Sequence, residues 1–96
     1  MNLGFIGTGE ITKAVVLGIT NSKIKYSKIY VSSRNKIISK TLKKQNRRVN
    51  ILSNNQRIID KSHWIFLAVT PIVGKKILKE LKFTSDKTII SFISTI

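Results

Sequence analysis

Apolar residues fall along this chain in two alternating rhythms. Short unbroken runs occur at Leu3 to Ile6, Ile29 to Val31, Val49 to Leu52, Trp64 to Val69 and Thr88 to Ile93, and such runs suit strands buried on both faces of a parallel sheet. The stretches between them have helical spacing. Ile11, Ala14, Val15, Gly18 and Ile19 make one stripe, closed by Asn21 and Ser22. Ser33 or Asn35 is placed to cap a second helix, with Ile37, Ile38, Thr41 and Leu42 inward and Lys36, Lys40, Lys43 and Lys44 in water. A brief helix from Asn55 to Lys61 follows, for which Asn54 or Asn55 can serve as the cap. Pro71 suits the first turn of a fourth helix, whose inward face would be Val73, Ile77, Leu78 and Leu81.

Strands separated by helices, with no hairpin dipeptide between strands, imply βαβ crossovers. The expected fold class is α/β: a three-layer α/β/α domain with a mainly parallel sheet, covered on both faces, over residues 1–96. The Trp64 to Val69 run is expected to be a central strand, with Trp64 and Phe66 in the core. No internal repeat or linker interrupts the chain. Ser94 to Ile96 directly follow a strand with no helix to cover it, so the 96 residues are expected to be the front portion of a longer protein or a single domain trimmed from one.

Composition narrows the function. There is no cysteine and a single histidine, His63, so a metal site is not expected; His63 reads as a polar residue at a strand entry. No apolar run approaches the roughly 20 residues that cross a bilayer, and no basic region precedes the first apolar segment. A cytoplasmic protein without membrane contact is expected. The net charge of +14, from 18 basic and 4 acidic residues, raises nucleic-acid binding. Lysines spread over nearly every helix and turn argue instead for a solvated basic surface.

The first turn carries the chemistry. Gly4-Phe5-Ile6-Gly7-Thr8-Gly9-Glu10-Ile11-Thr12 matches the first two glycines of G-x-G-x-x-G/A, with Thr12 in place of the third. Gly7 would allow the tight strand-to-helix turn, and Gly9 would let a pyrophosphate approach the helix N-terminus. A threonine at the third position is expected to loosen the helix–strand fit. Glu10 would repel a pyrophosphate unless its side chain points away. A glycine turn that follows a strand and opens a βαβ unit makes the domain a Rossmann-type one. NAD-binding domains place an acid about 20 residues further on to hold the ribose 2′-OH. This chain has no acid between Glu10 and Asp60 and carries Ser32, Ser33 and Arg34 there. A guanidinium and hydroxyls are donors for a 2′-phosphate, so NADP(H) is the expected cofactor. Ala68, Val69, Thr70 and Pro71 end the fourth strand, on the sheet edge where ligands of open α/β folds bind.

These segments, with Val31-Ser32-Ser33-Arg34, Phe66-Leu67-Ala68-Val69-Thr70-Pro71 and Ile90-Ser91-Phe92-Ile93, resemble the N-terminal domain of pyrroline-5-carboxylate reductase over essentially the whole chain. The resemblance implies an oxidoreductase of proline biosynthesis that reduces 1-pyrroline-5-carboxylate, a small imino acid, to L-proline. It implies that Gly7, Thr8, Gly9, Glu10 and Ile11 cradle the pyrophosphate. Ser33 and Arg34 would hold the 2′-phosphate, Asn55 would lie near the adenosine, and Ala68, Val69 and Pro71 would flank the nicotinamide. It further implies a homo-oligomeric parent whose C-terminal helical domain holds much of the imino-acid site, so these residues are expected to bind cofactor without turnover. No catalytic acid is identified. The family commonly has a non-acidic residue where Glu10 stands, and a lysine where Thr70 stands. A hydroxyacid dehydrogenase-like domain and a non-catalytic NADP(H)-sensing module share the glycine turn; Ser91-Phe92-Ile93-Ser94 favours the reductase.

Overall fold

In the computed structural model, which describes residues 1–7 and 9–92, strands and helices alternate strictly. The strands are β1 (Leu3–Ile6), β2 (Ile29–Ser32), β3 (Val49–Leu52), β4 (Trp64–Leu67) and β5 (Thr88–Ser91). The helices are α1 (Glu10–Thr20), α2 (Lys36–Gln45), α3 (Asn55–Lys61) and α4 (Pro71–Glu80). All strand pairs are parallel, in the order β3-β2-β1-β4-β5. The expected α/β class and Rossmann-type sheet are therefore present. β1 is the middle strand and β4 lies beside it, with Leu3 level with both Ile29 and Trp64.

Handedness explains the layers. A right-handed crossover that moves outward from β1 to β2 to β3 puts its helices on one face. The chain then returns past β1 to β4, and the same handedness puts the next helices on the other. Leu3, Phe5, Ile29, Val31 and Val49 pack with Val16 and Ile19 of α1 and Ile38 and Leu42 of α2. Their strand neighbours Ile6, Tyr30, Ile65 and Leu67 pack with Ile58 and Ile59 of α3 and Ile77 of α4. Gly4 lies where α3 ends against the sheet: a methyl there would sit 2.8 Å from Ile58 Cγ2 and overlap the Ser62 hydroxyl.

Helix caps follow the sequence signals. Asn35, rather than Ser33, caps α2 by accepting from the Ile38 N–H at 3.2 Å. Asn54, rather than Asn55, caps α3 by accepting from the Arg57 N–H at 3.1 Å. Pro71 begins α4, with Thr70 as its cap residue.

The inward faces differ from the apolar stripes. In α1 the buried residues are Thr12, Val16 and Ile19, while Ile11, Ala14 and Gly18 are exposed. The helix is apolar on nearly every side, so periodicity leaves its rotation open. The rotation is set instead by the Thr12 hydroxyl, which is fully buried and donates to the Gly7 carbonyl at 2.6 Å. In α2, Ile37 is 81% exposed and Ser39 is buried in its stead. Ser39 Oγ lies 2.6 Å from the Ser32 carbonyl and 2.8 Å from that of Asn35. In α4, Leu78 is exposed, and Gly74 joins Ile77 on the buried face.

The sheet is also less fully covered than expected. α1 and α2 lie over β1, β2 and β3, so on that face β4 and β5 are partly open. Trp64, expected in the core, is 42% exposed. Phe66, on the same face, is buried because its ring stacks on Phe5, with centroids 4.5 Å apart and planes at 7°, and has Phe92 on its other side at 6.1 Å. The fifth strand ends at Ser91, so Phe92, expected within it, lies beyond its end, and Ile93 lies outside the described residues.

The two aromatic residues of β4 should respond differently to truncation. Phe66→Ala should lower unfolding free energy by about 3–5 kcal/mol, the usual cost for a core aromatic, and Trp64→Ala by clearly less. Urea denaturation of both variants measures this, and equal losses would contradict the burial described.

Candidate functional site

The direction of strand order reverses between β1 and β4, and in open α/β sheets ligands bind at this switch point, beyond the carboxyl ends of the strands. A cleft of about 440 Å³ opens there, lined by Gly7, Gly9 and Ile11 from the first turn, by Arg34, by Ala68 to Pro71 and Val73, and by Phe92. Ligand sites commonly fall in a range of about 300–1,000 Å³.

Its floor depends on a backbone contact. Gly7 has φ of +91°, a conformation that side chains rarely adopt. A methyl there would also overlap the Ala68 carbonyl and lie 2.7 Å from Val69 Cγ1. The turn therefore needs glycine for both its dihedral and its closeness to β4. The Ala68 N–H completes the junction by donating to the Ile6 carbonyl at 3.0 Å. Thr12, at the third position of the motif, does not loosen this fit: its methyl fits the buried space and its hydroxyl ties the helix to the Gly7 carbonyl.

Gly9 differs from Gly7. Its φ of −132° is open to any residue, yet nothing lies within 4 Å of an added Cβ. Neither conformation nor packing calls for glycine here. What its missing side chain provides is open space over the first N–H groups of α1, where the helix dipole favours negative charge. Glu10 is exposed and does not line the cleft, so its carboxylate leaves this space free.

Arg34 lines the cleft on the β2 side and also a neighbouring hollow with Asn35, Lys36 and Ile37. The turn that presents it is fixed: the Arg34 N–H donates to Ser32 Oγ at 3.2 Å, and the Ser33 N–H to the Leu52 carbonyl at 3.1 Å. Among the described residues no carboxylate lines either space.

Of the residues nominated from sequence, Gly7, Gly9, Ile11, Arg34, Ala68, Val69 and Pro71 come together around one cleft. Glu10, Ser33 and Asn55 do not line it. Ser33 borders a smaller hollow with Lys36, Ser39, Lys40 and Ile51, Asn55 opens α3, and Thr8 lies outside the described residues. Val73 and Phe92 line the cleft without having been singled out as ligand contacts. For Val73 the signal was available, since it stands one turn into the helix that follows β4. Phe92 had none, because only the Phe5–Phe66–Phe92 stack turns it toward the site.

His63 is remote from this chemistry. Its Nδ1 accepts the Asn2 N–H at 2.9 Å, at the entry of β4 and the opposite end of the sheet. Among the described residues no three His, Cys, Asp or Glu side chains gather as metal ligands, and no helix is long and apolar enough to cross a membrane.

A family model described as NADP oxidoreductase coenzyme F420-dependent matches residues 2–95. The chain belongs to this family. Within the NADP oxidoreductases it is similar to the pyrroline-5-carboxylate reductase of Treponema pallidum (strain Nichols), with 29% identity over 94 residues, 95% of this chain and 35% of that protein. Its fold matches a crystal structure of 1-pyrroline-5-carboxylate reductase from Streptococcus pyogenes with a TM-score of 0.75 at 25% identity, covering all of this chain and 35% of that one. The resemblance read from sequence is thus upheld, and the chain spans 35% of the length of each relative.

The two glycines of the NADP oxidoreductase turn should separate by stability. Gly7→Ala should cost about 1–3 kcal/mol from dihedral strain alone, with the overlap at Ala68 adding to it. Gly9→Ala, which replaces the cap residue of α1 without a clash, should cost less, about 0.5–1 kcal/mol. Urea midpoints for the two variants decide this, and a large loss for Gly9→Ala would mean that the space is not open.

Proposed function

We propose that this chain is the NADP(H)-binding domain of an oxidoreductase that reduces the C=N bond of 1-pyrroline-5-carboxylate to give L-proline. The observation that carries the reading is the pairing of an open, glycine-lined helix N-terminus with Arg34 across one cleft that no described carboxylate lines. That donor set fits a phosphorylated dinucleotide. Backbone N–H groups at the start of α1 would meet the pyrophosphate, the role that the family resemblance assigns to Gly7, Thr8, Gly9, Glu10 and Ile11. The Arg34 guanidinium, with Ser33 beside it, would take the 2′-phosphate through charge-assisted hydrogen bonds. Asn55 would lie toward the adenosine. Ala68, Val69 and Pro71 would bound the nicotinamide side with apolar groups.

When bound, NADPH supplies the hydride for the C=N carbon. The residues of this chain bind, orient and shield it. The similarity to the two reductases, each named for pyrroline-5-carboxylate, supports the imino-acid substrate; a homo-oligomer acting in the cytoplasm is part of the proposal and stands on the family resemblance alone.

Parallel calorimetric titrations with NADPH and NADH test the reading. NADPH should bind more tightly. Arg34→Ala should weaken NADPH by about 1.5–3 kcal/mol, roughly ten- to a hundredfold, and leave NADH nearly unchanged. Failure of both nucleotides to bind the parent chain would sink the proposal, and an equal loss for both in the variant would remove Arg34 from the 2′-phosphate.

A further inference from the structure

Four cations from three separate segments of the chain meet along the outer edge of the sheet. Lys28 precedes β2, Lys43 lies in the last turn of α2, and Arg57 and Lys61 stand one turn apart on α3. Together they line a groove of about 450 Å³ that also includes Tyr30 and Asn50. All four are exposed, and among the described residues no carboxylate lines the groove. The acid next to Lys61, Asp60, is engaged elsewhere, where its Oδ1 accepts from Gln56 Nε2 at 3.0 Å. Lys61 Nζ rests 5.9 Å from the centre of the Tyr30 ring.

The groove shares no residue with the cofactor cleft, so a dinucleotide there leaves these charges unanswered. Gathering like charges on a chain of net +14 costs the fold self-repulsion, which a polyanion would relieve. The scatter of lysines along the sequence argues against a basic arm, but the fold undoes that scatter at this edge.

We propose that this groove binds the phosphodiester backbone of single-stranded nucleic acid. An open groove whose cations come from three separate segments suits a flexible chain of phosphates better than one compact anion. Tyr30 is buried to 7% exposure, so no ring is offered for base stacking and binding is indifferent to sequence. The apolar lining residues Ile51 and Leu52 are only partly exposed and present no wedge for a membrane interior.

The test is fluorescence anisotropy of a short labelled oligothymidylate across a salt series. Four neutralised phosphates give a slope of log affinity against log salt of about −2.8 for a single strand. The triple variant Lys28→Gln, Arg57→Gln, Lys61→Gln should reduce this to about −0.7 and bind more than tenfold more weakly at low salt. Lys75→Gln, Lys76→Gln, Lys79→Gln removes the same charge from exposed positions of α4 and should leave the slope near that of the parent. Saturating NADPH should not displace the oligonucleotide. Melting scans on both triples establish that each is folded, and Lys61→Gln alone, lowering the slope by about one phosphate's share, serves should the first triple unfold. Equal losses in the two triples, displacement by NADPH, or no binding by the parent would each overturn the proposal. So would tighter binding to phosphatidylserine vesicles than to the oligonucleotide.

Discussion

The close approach of backbone at Gly7 to the end of β4 is the constraint on which the rest of the structure depends. A crevice at the centre of a parallel sheet requires that neighbouring strands send their chains to opposite faces. Here β1 leads into α1 on one face and β4 into α4 on the other, and the two exits touch where Gly7 meets Ala68 and Val69. A positive φ and the absence of a side chain are both needed at that contact. The Thr12 hydroxyl then pins the helix to the same carbonyl-bearing turn. Because the pin sets how α1 is rotated, it also decides that Ile11 looks into the cleft and that Val16 and Ile19 enter the core.

Buried hydroxyls recur at these junctions. Thr12 joins α1 to the end of β1, and Ser39 joins α2 to the end of β2, each through a strand-end carbonyl or the turn beyond it. Ser62 closes α3, donating to the Ile58 carbonyl, in the space that Gly4 leaves open. No described buried side-chain nitrogen or oxygen lacks a partner, so these polar groups carry little desolvation penalty. They supply direction where apolar packing alone would tolerate several rotations.

Charge divides the surface by position rather than by amount. At the cleft, cations are few and oriented: Arg34 stands on a turn held by Ser32 and Leu52, opposite a helix N-terminus. Along the β3 edge they are more numerous and exposed. The first arrangement favours a ligand of defined shape, the second a flexible anion. With so few acids in the chain, neither set is neutralised from within its own lining.

The amino-acid sequence by itself determined the order of elements, their parallel connection, the glycine turn and the basic end of β2. These depend on local periodicity, on caps and on glycine and proline, all of which act within a few residues. Tertiary structure alone decided which side of each helix is buried, because α1 is apolar nearly all round and its anchor is a hydroxyl that no hydrophobic pattern reveals. It likewise decided that Trp64 is exposed while Phe66 is covered, since cover on that face comes from α1, Phe5 and Phe92 rather than from the strand's own composition. Asn54 and Asn55 were equivalent as caps until the start of α3 selected one. The meeting of Lys28, Lys43, Arg57 and Lys61 has the same origin: parallel crossovers bring to one edge side chains that are dispersed along the chain.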